Sequence, residues 1–240
     1  MHAILTFHHV ATAPADAGRH AGLFVPPAEF RRHLTHLGSM GYQTISPLEY
    51  SHTLDAEKTG ERRIWITFDD GLLDNYEVAF PALVEAGMTA TFFVVTDRVL
   101  GGEPGYMTPP MLREMADAGM AIESHTRSHP RLARIDADQL KDEVLGSKAR
   151  LEDALGLPVN SFCYPYGNFS PAVINAVREA GYSLATSTIR GNKNTGADRF
   201  ALKRVMVMPG RSDTRFRYQL SPLYEWLHKR KNARRWKAEE

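Results

Sequence analysis

Four side chains at two points of the chain have the types and spacing of a metal-dependent hydrolytic site. Asp69 and Asp70 are adjacent, and His125 and His129 stand four residues apart. Neighbouring side chains of an extended backbone point in different directions, so one carboxylate can bind a metal while the other faces a substrate. Two carboxylates this close are not both easily ionised unless a cation is near. A divalent metal would resolve that conflict.

The two histidines share one side of the chain if residues 126–128 form a helical turn. With Asp70 they make a two-histidine, one-carboxylate set with open positions for water and substrate, which zinc, iron, cobalt and nickel all accept. Each half of the pattern also has a simpler explanation. Asp-Gly pairs are common in turns, and two histidines at this spacing often occur by chance at the surface or in the core. The strand that precedes the aspartates, together with histidines elsewhere, favours the metal site.

Short apolar runs alternate with amphipathic segments along the whole chain. The runs predict strands at 3–7, 42–45, 64–68, 90–95, 120–123, 161–164, 183–185 and 203–207. The clearest helical stripes are Phe30, Leu34 and Leu37; Tyr76, Phe80 and Val84; and Leu140, Val144, Leu151 and Leu155. Glycines that end helices follow such stripes at Gly41, Gly87, Gly119, Gly156 and Gly181. About seven or eight strand–helix units predict one α/β domain over 1–240, with a mainly parallel sheet closed into a barrel.

Residues that can do chemistry follow strands that are distant in sequence. His8 and His9 follow the first strand, the two aspartates follow the run 64–68, His125 follows 120–123, and the segment 165–167 follows 161–164. In a parallel barrel these strand ends lie on one face, which carries active sites. We therefore expect the four segments to converge.

Composition excludes several classes of protein and partner. The net charge of +1 gives no electrostatic reason to expect nucleic acid. The single cysteine, Cys163, excludes an intrachain disulfide and a cysteine-based metal cluster. The first residues lack a signal-peptide pattern and no apolar run is long enough to span a membrane, so we expect a cytoplasmic protein. The basic tail at about 228–240 is interpreted as a solvated segment, with peripheral contact to an anionic membrane as the alternative.

At these motifs the chain resembles the polysaccharide deacetylases, the family with the NodB-homology domain (carbohydrate esterase family 4). Residues 67–71 are similar to the first motif of that family, 125–130 to the second and, more loosely, 162–167 to the third. The resemblance implies a distorted (β/α)7 barrel. It also implies removal of an N-acetyl or other N-acyl group from an amino sugar of a polysaccharide or glycan precursor, with one divalent metal, foremost Zn²⁺ and otherwise Co²⁺, Ni²⁺ or Fe²⁺.

The resemblance also implies a role for each matching residue. It makes Asp69 the general base, and it makes Asp70, His125 and His129 the metal ligands. It places an oxyanion contact at the backbone N–H of Tyr166. The side chains of the third motif that would meet the N-acylated carbohydrate are Tyr164, Pro165 and Tyr166.

The chain departs from the family pattern in two places. Cys163 stands where the family has an arginine that orients the base, and Arg204 is our candidate to replace it. No histidine suited to act as the late general acid follows His129, but a permuted branch with biofilm poly-N-acetylglucosamine deacetylases places this residue on the first strand. His8 fits that position, and only one of His8 and His9 should reach the site, since they point to opposite faces of a strand.

Two other functions are compatible with parts of this pattern. A deformylase or amidase acting on a lipid-linked sugar, a nucleotide sugar or a small cyclic amide would use the same metal site, and release of formate would identify the deformylase. A glycan-binding module with a decayed site would lack the base or a ligand, whereas this sequence retains all four residues.

Overall fold

The computed structural model describes residues 2–55 and 60–228, which form a closed barrel of parallel strands surrounded by helices. The strands are β1 Ala3–Phe7, β2 Gln43–Thr44, β3 Arg63–Phe68, β4 Thr91–Val94, β5 Ala121–Ser124, β6 Ser161–Cys163, β7 Leu184–Arg190 and β8 Leu202–Met206. The ring runs β1-β8-β7-β6-β5-β4-β3 and closes through the pairing of β1 with β3, while β2 lies outside it against β3. This is the (β/α)7 barrel that the resemblance implied.

The pairing that closes the barrel also aligns the ends of β1 and β3. Five residue pairs are in parallel register, from Ala3 with Ile64 to Phe7 with Phe68. The backbone N–H of Asp69 then donates to the carbonyl of Phe7 at 3.0 Å. His8 and Asp69, which follow the two strands, therefore lie side by side at the rim of the barrel.

Helices pack outside the ring and follow the predicted order. Their bounds are α1 Pro27–Ser39, α2 Pro47–Asp55, α3 Phe80–Glu85, α4 Thr96–Leu100, α5 Pro109–Asp117, α6 Ala137–Lys141, α7 Ser147–Leu155, α8 Pro171–Glu179 and α9 Asp213–Gln219, with a last helix, α10, at 222–228. Single π-helical turns, Asn75–Ala79 and Asp142–Gly146, lead into α3 and α7. Within the described residues, no helix combines the length and apolar character that a bilayer crossing requires.

The predicted stripe on α3 is wrong at one residue. Phe80 is buried, but Val84 is 52% exposed and Leu83 faces the core instead. Residues three and four positions after Phe80 both lie near its face of a regular helix, and in α3 the residue three positions on, Leu83, takes the buried place. The stripe on α1, in contrast, is buried as predicted.

The strands carry an apolar lower layer and a polar upper layer on the face that points into the barrel. Alternate residues share a face, so Ile4 and Thr6 point inward from β1 while Phe7 packs outward against α1. The lower layer is a separate buried cluster that includes Ile4, Trp65, Phe93, Cys163 and Leu202. The upper layer is polar and lies at the strand ends, where the predicted site residues follow.

Candidate active site and metal centre

Asp70, His125 and His129 converge at the carboxyl ends of β3 and β5. The Oδ1 atom of Asp70 lies 3.4 Å from the Nε2 atoms of both His125 and His129. The ligand atoms of the three residues lie within 4.8 Å of one another. The Nδ1 of His125 lies 2.7 Å from the carbonyl oxygen of Cys163 and donates a hydrogen bond to it, which orients the ring so that Nε2 faces Asp70.

The connection between the two histidines is a bend and not a helical turn. Residues 125–130 contain a bend, and Thr126 and His129 both have positive φ, 70° and 67°. The Thr126 hydroxyl accepts a hydrogen bond from the backbone N–H of His129 at 2.9 Å. This local bond reverses the chain and brings the two rings to a centroid distance of 4.8 Å.

Backbone strain within the described residues is concentrated at the site. The non-glycine residues with positive φ are Asp70, Thr126, His129 and Tyr166, and all lie in the three loops that carry the motifs. Such conformations persist only where the surrounding structure enforces them, and they are frequent at functional sites. Gly71 also has positive φ, 81°, and a Cβ there would lie 3.0 Å from the Cβ of Val94, so glycine is required after the aspartates.

The three residues fit a divalent cation by their charge as well as by their distances. Burial opposes ionisation of Asp70, yet contact with His125 holds the pKa of this carboxyl well below its ordinary value. Burial lowers the pKa of His129 to about 4, which leaves a neutral imidazole. An ionised carboxylate and a neutral imidazole whose Nε2 lies 3.4 Å away are the charge states in which both residues bind a divalent metal.

Asp69 is held by a buried, bidentate ion pair. The Nη1 and Nη2 atoms of Arg204 donate to Oδ1 and Oδ2 of Asp69, both at 2.7 Å, and both residues are buried. Burial alone would raise the pKa of Asp69, but the Arg204 guanidinium holds it below its ordinary value. The carboxylate is therefore ionised at neutral pH and fixed in orientation.

Arg204 reaches this position from β8 across the interior of the barrel. Its Nε donates to the carbonyl of Ser187 at 2.9 Å, and its Nη2 lies 3.3 Å from the Sγ of Cys163. A small side chain at position 163 leaves room for the guanidinium. Arg204 thus reaches Asp69 beside position 163, where the resemblance places the arginine of the family.

His8 lies beside Asp69, with its Nε2 3.9 Å from Oδ2. The neighbouring His9 points away from the site, where its Nδ1 lies 2.6 Å from the carboxylate of Asp74 and its ring stacks on Phe24. Asn75 holds the turn through a 2.7 Å hydrogen bond to the carbonyl of His8. Only one of the two histidines reaches the site, as the strand alternation predicts.

The third motif contributes one exposed side chain, and the predicted substrate contact of two others is wrong. Tyr164 is fully buried because its ring packs on Phe162 and its hydroxyl donates to the carbonyl of Phe200 at 3.0 Å. Pro165 is buried as well. Tyr166 is 52% exposed, and its ring lies 4.6 Å from that of His129.

The site opens into a cleft of about 230 Å³ between the strand ends. Thr6, His8, Asp69, Tyr166 and Arg204 line one part of it. The other part is lined by Ser187, Thr188, Arg190 and Met206, which were not among the residues predicted from the sequence. These residues lie on the carboxyl-terminal halves of β7 and β8, so the strand-end rule that selected the aspartates could have identified them.

Comparison with known proteins agrees with this geometry. Residues 56–185, more than half of the chain, match the family model for polysaccharide deacetylase. YxkH of Bacillus subtilis (strain 168), named provisionally as a polysaccharide deacetylase, is 33% identical over 89% of this chain and 74% of its own length. The peptidoglycan-N-acetylmuramic acid deacetylase PdaA of the same organism is 29% identical over 64% of this chain, and the match spans only 57% of that relative.

A solved structure supports the same assignment. The Streptococcus pyogenes deacetylase PplD in complex with acetate superposes with a TM-score of 0.87 and 27% identity, over 92% of this chain and 98% of that one. The match extends across the whole barrel. With its motifs, its barrel and its relatives in agreement, the chain belongs to the polysaccharide deacetylase family of hydrolases that act on carbon–nitrogen bonds.

Proposed function

We propose that the protein removes the N-acetyl group of an amino sugar in a glycan, with one divalent metal, foremost Zn²⁺, held by Asp70, His125 and His129. The observation that carries this proposal is the Asp69 carboxylate, which accepts two hydrogen bonds from Arg204 beside three side chains that could hold a metal ion. The named substrate of PdaA and the acetate bound to PplD support an acetylated sugar.

The roles of the chain's own residues follow from where they lie. Asp69, ionised and oriented, accepts a proton from the water that attacks the acyl carbonyl. The backbone N–H of Tyr166 donates to the carbonyl oxygen as negative charge develops there. Asp70, His125 and His129 would hold the metal, which would supply Lewis-acid polarisation of the acyl carbonyl. His8 donates a proton to the departing amine, and acetate and a free amino sugar are the products.

The direct test is release of acetate from N-acetylglucosamine oligosaccharides by the metal-loaded protein. We expect stoichiometric acetate and a matching mass loss in the sugar, both abolished by a chelator and restored by added Zn²⁺. His125→Ala should lose bound metal and activity together, because two remaining ligands hold the ion poorly. Release of formate from an N-formyl sugar, with no acetate from any acetylated one, would favour the deformylase.

Replacing His8 with alanine tests the proton donor. We expect the metal content to stay the same and kcat to fall about a hundredfold, a typical contribution of acid catalysis. Burial lowers the pKa of His8, against the opposing effect of Asp69 and Asp70, so the protonated acid is lost as pH rises. The alkaline decline in kcat of the parent protein should therefore be absent in the variant. A variant with a near-parental rate would show that another group protonates the amine.

A further inference from the structure

A small second cavity, of about 90 Å³, opens beside the active-site cleft. Arg190 and Met206 line both spaces, so the cavity continues from the place where the acetylated sugar would lie. Its other walls come from the segment after β8 and from α9 and α10. It has room for more than one water but not for a sugar ring, so a substituent of a bound sugar is the kind of group it can accept.

Positive charge dominates the walls of this cavity. Arg190 ends β7, Arg211 lies just before α9, and Arg215 lies on α9. No aspartate or glutamate lines the cavity among the described residues. Burial lowers the pKa of Arg211, and the charges of Arg215 and Arg190 lower it further. Three guanidinium groups that repel one another around a shared space favour an anion between them.

Three carboxylates on segments around the cavity form hydrogen bonds with other groups. Glu29 accepts hydrogen bonds from the backbone N–H groups of Gly210 and Arg211, at 2.9 and 2.8 Å. Glu225 accepts from the backbone N–H of Asn192 at 3.0 Å. Asp213 accepts from the Nε of Arg32 at 3.0 Å. Glu29 and Glu225 thus hold backbone groups near the cavity, Asp213 pairs with an arginine outside it, and none of the three lines it.

Arg211 carries donor capacity that the protein does not use. Its Nε is buried and has no hydrogen-bond partner, and its Nη2 contacts the Sδ of Met208 at 3.3 Å. A buried guanidinium donor without an acceptor costs free energy, which a carboxylate or phosphate oxygen would offset through a charge-assisted bond. Tyr218 and Tyr224 supply further walls, so an anion there would be partly shielded from solvent.

We propose that this arginine cavity, lined by Arg190, Arg211 and Arg215, binds an anionic substituent on the glycan next to the acetamido group that is hydrolysed. The substituent is a carboxylate or a phosphate, since two oxygen atoms of either group can accept paired hydrogen bonds from one guanidinium group. The inference rests on the proposed deacetylase function and narrows its substrate to an acidic glycan.

The test compares matched substrates that differ only in charge. One is an N-acetylated oligosaccharide with a lactyl ether carboxylate on the sugar next to the acetylated one, and its partner is the methyl ester of the same compound. A third carries a phosphate monoester at the neighbouring sugar. Acetate release gives kcat/KM for each, and calorimetry measures binding of the de-N-acetylated forms, which are not turned over.

We expect the acid to be preferred over its ester by about tenfold to a hundredfold, the range expected for one charge-assisted hydrogen bond. Comparing the carboxylate and phosphate arms identifies which anion fits. Arg211→Met and Arg215→Gln should each reduce the acid-to-ester ratio, mainly by raising KM for the acid. Arg217→Gln is the matched control, because Arg217 is exposed on the same helix but does not line the cavity. Added salt should weaken the preference.

Two results would overturn the anion site. Equal turnover and equal binding of acid and ester by the parent protein would remove its basis, and so would variants that lower turnover of both substrates by the same factor. If no substrate releases acetate while the binding preference for the acid persists, the proposed reaction fails and the anion site stands. The two proposals can therefore fail separately.

Discussion

Replacement of Asp69 by asparagine is expected to lower kcat for acetate release by about 10³–10⁴-fold, the upper range for loss of a general base. Asparagine keeps the shape of the side chain but cannot accept the proton. Asp69 is not one of the three proposed metal ligands, so the metal content, measured by atomic absorption, should stay at one ion per chain. The variant should also unfold at a lower temperature, because Arg204 loses its buried anionic partner.

A control separates the loss of the base from a general loss of structure. Asp74→Asn removes a carboxylate that pairs with His9 outside the cleft, and it should retain most of the activity. If Asp69→Asn loses its metal, or turns over at a near-parental rate, the assignment of Asp69 as base is wrong.

Replacement of Arg204 by alanine should destabilise the protein by about 3–5 kcal/mol, because it leaves the Asp69 carboxylate buried without a counter-ion. Arg204 holds the pKa of Asp69 below its ordinary value, so removing it raises that pKa. A base works in its ionised form, and its activity is lost as pH falls through its pKa. The acid limb of kcat should therefore move to higher pH, which a pH–rate profile together with denaturant unfolding would show.

The cysteine at position 163, where the family has an arginine, allows a rescue experiment. Combining Cys163→Arg with Arg204→Ala places a guanidinium on β6, where the resemblance puts the family arginine. We expect the double variant to recover part of the stability and to return the acid limb toward lower pH. Arg31→Ala, which removes an exposed arginine paired with Glu85, is the control for loss of charge alone. An Arg204→Ala profile that superposes on that of the parent protein would exclude an orienting role.

Much of the fold was predictable because alternation of strands and helices leaves a strong pattern in the sequence. Each predicted strand overlaps an observed one, and convergence of the motifs followed from the parallel order alone. Val84 was misplaced because residues three and four positions after Phe80 both fit its helix face, and the pattern alone does not choose Leu83 over Val84. The bend between His125 and His129 includes a threonine in the left-handed region, which carries no periodic signal.

The site was predictable in part, and the limits are physical. His125 and His129 could be located from their spacing, but their shared contact with Asp70 depends on strained loops. Tyr164 was predicted to contact the substrate, but its burial depends on Phe162 and on Phe200, which is far along the chain. The arginine cavity was not predictable from the sequence, since the three guanidinium groups that line it come from β7, the segment after β8 and α9.

The pairing of β1 with β3 places the residue that follows the first strand, His8, in the candidate active site. The five residue pairs that complete the ring are also the ones that carry His8 to Asp69. If the first strand detached, the ring would open between β3 and β8, and the proposed proton donor would leave with the strand. Activity should therefore require an intact ring. Fraying of β1 alone would abolish catalysis before the whole protein unfolds.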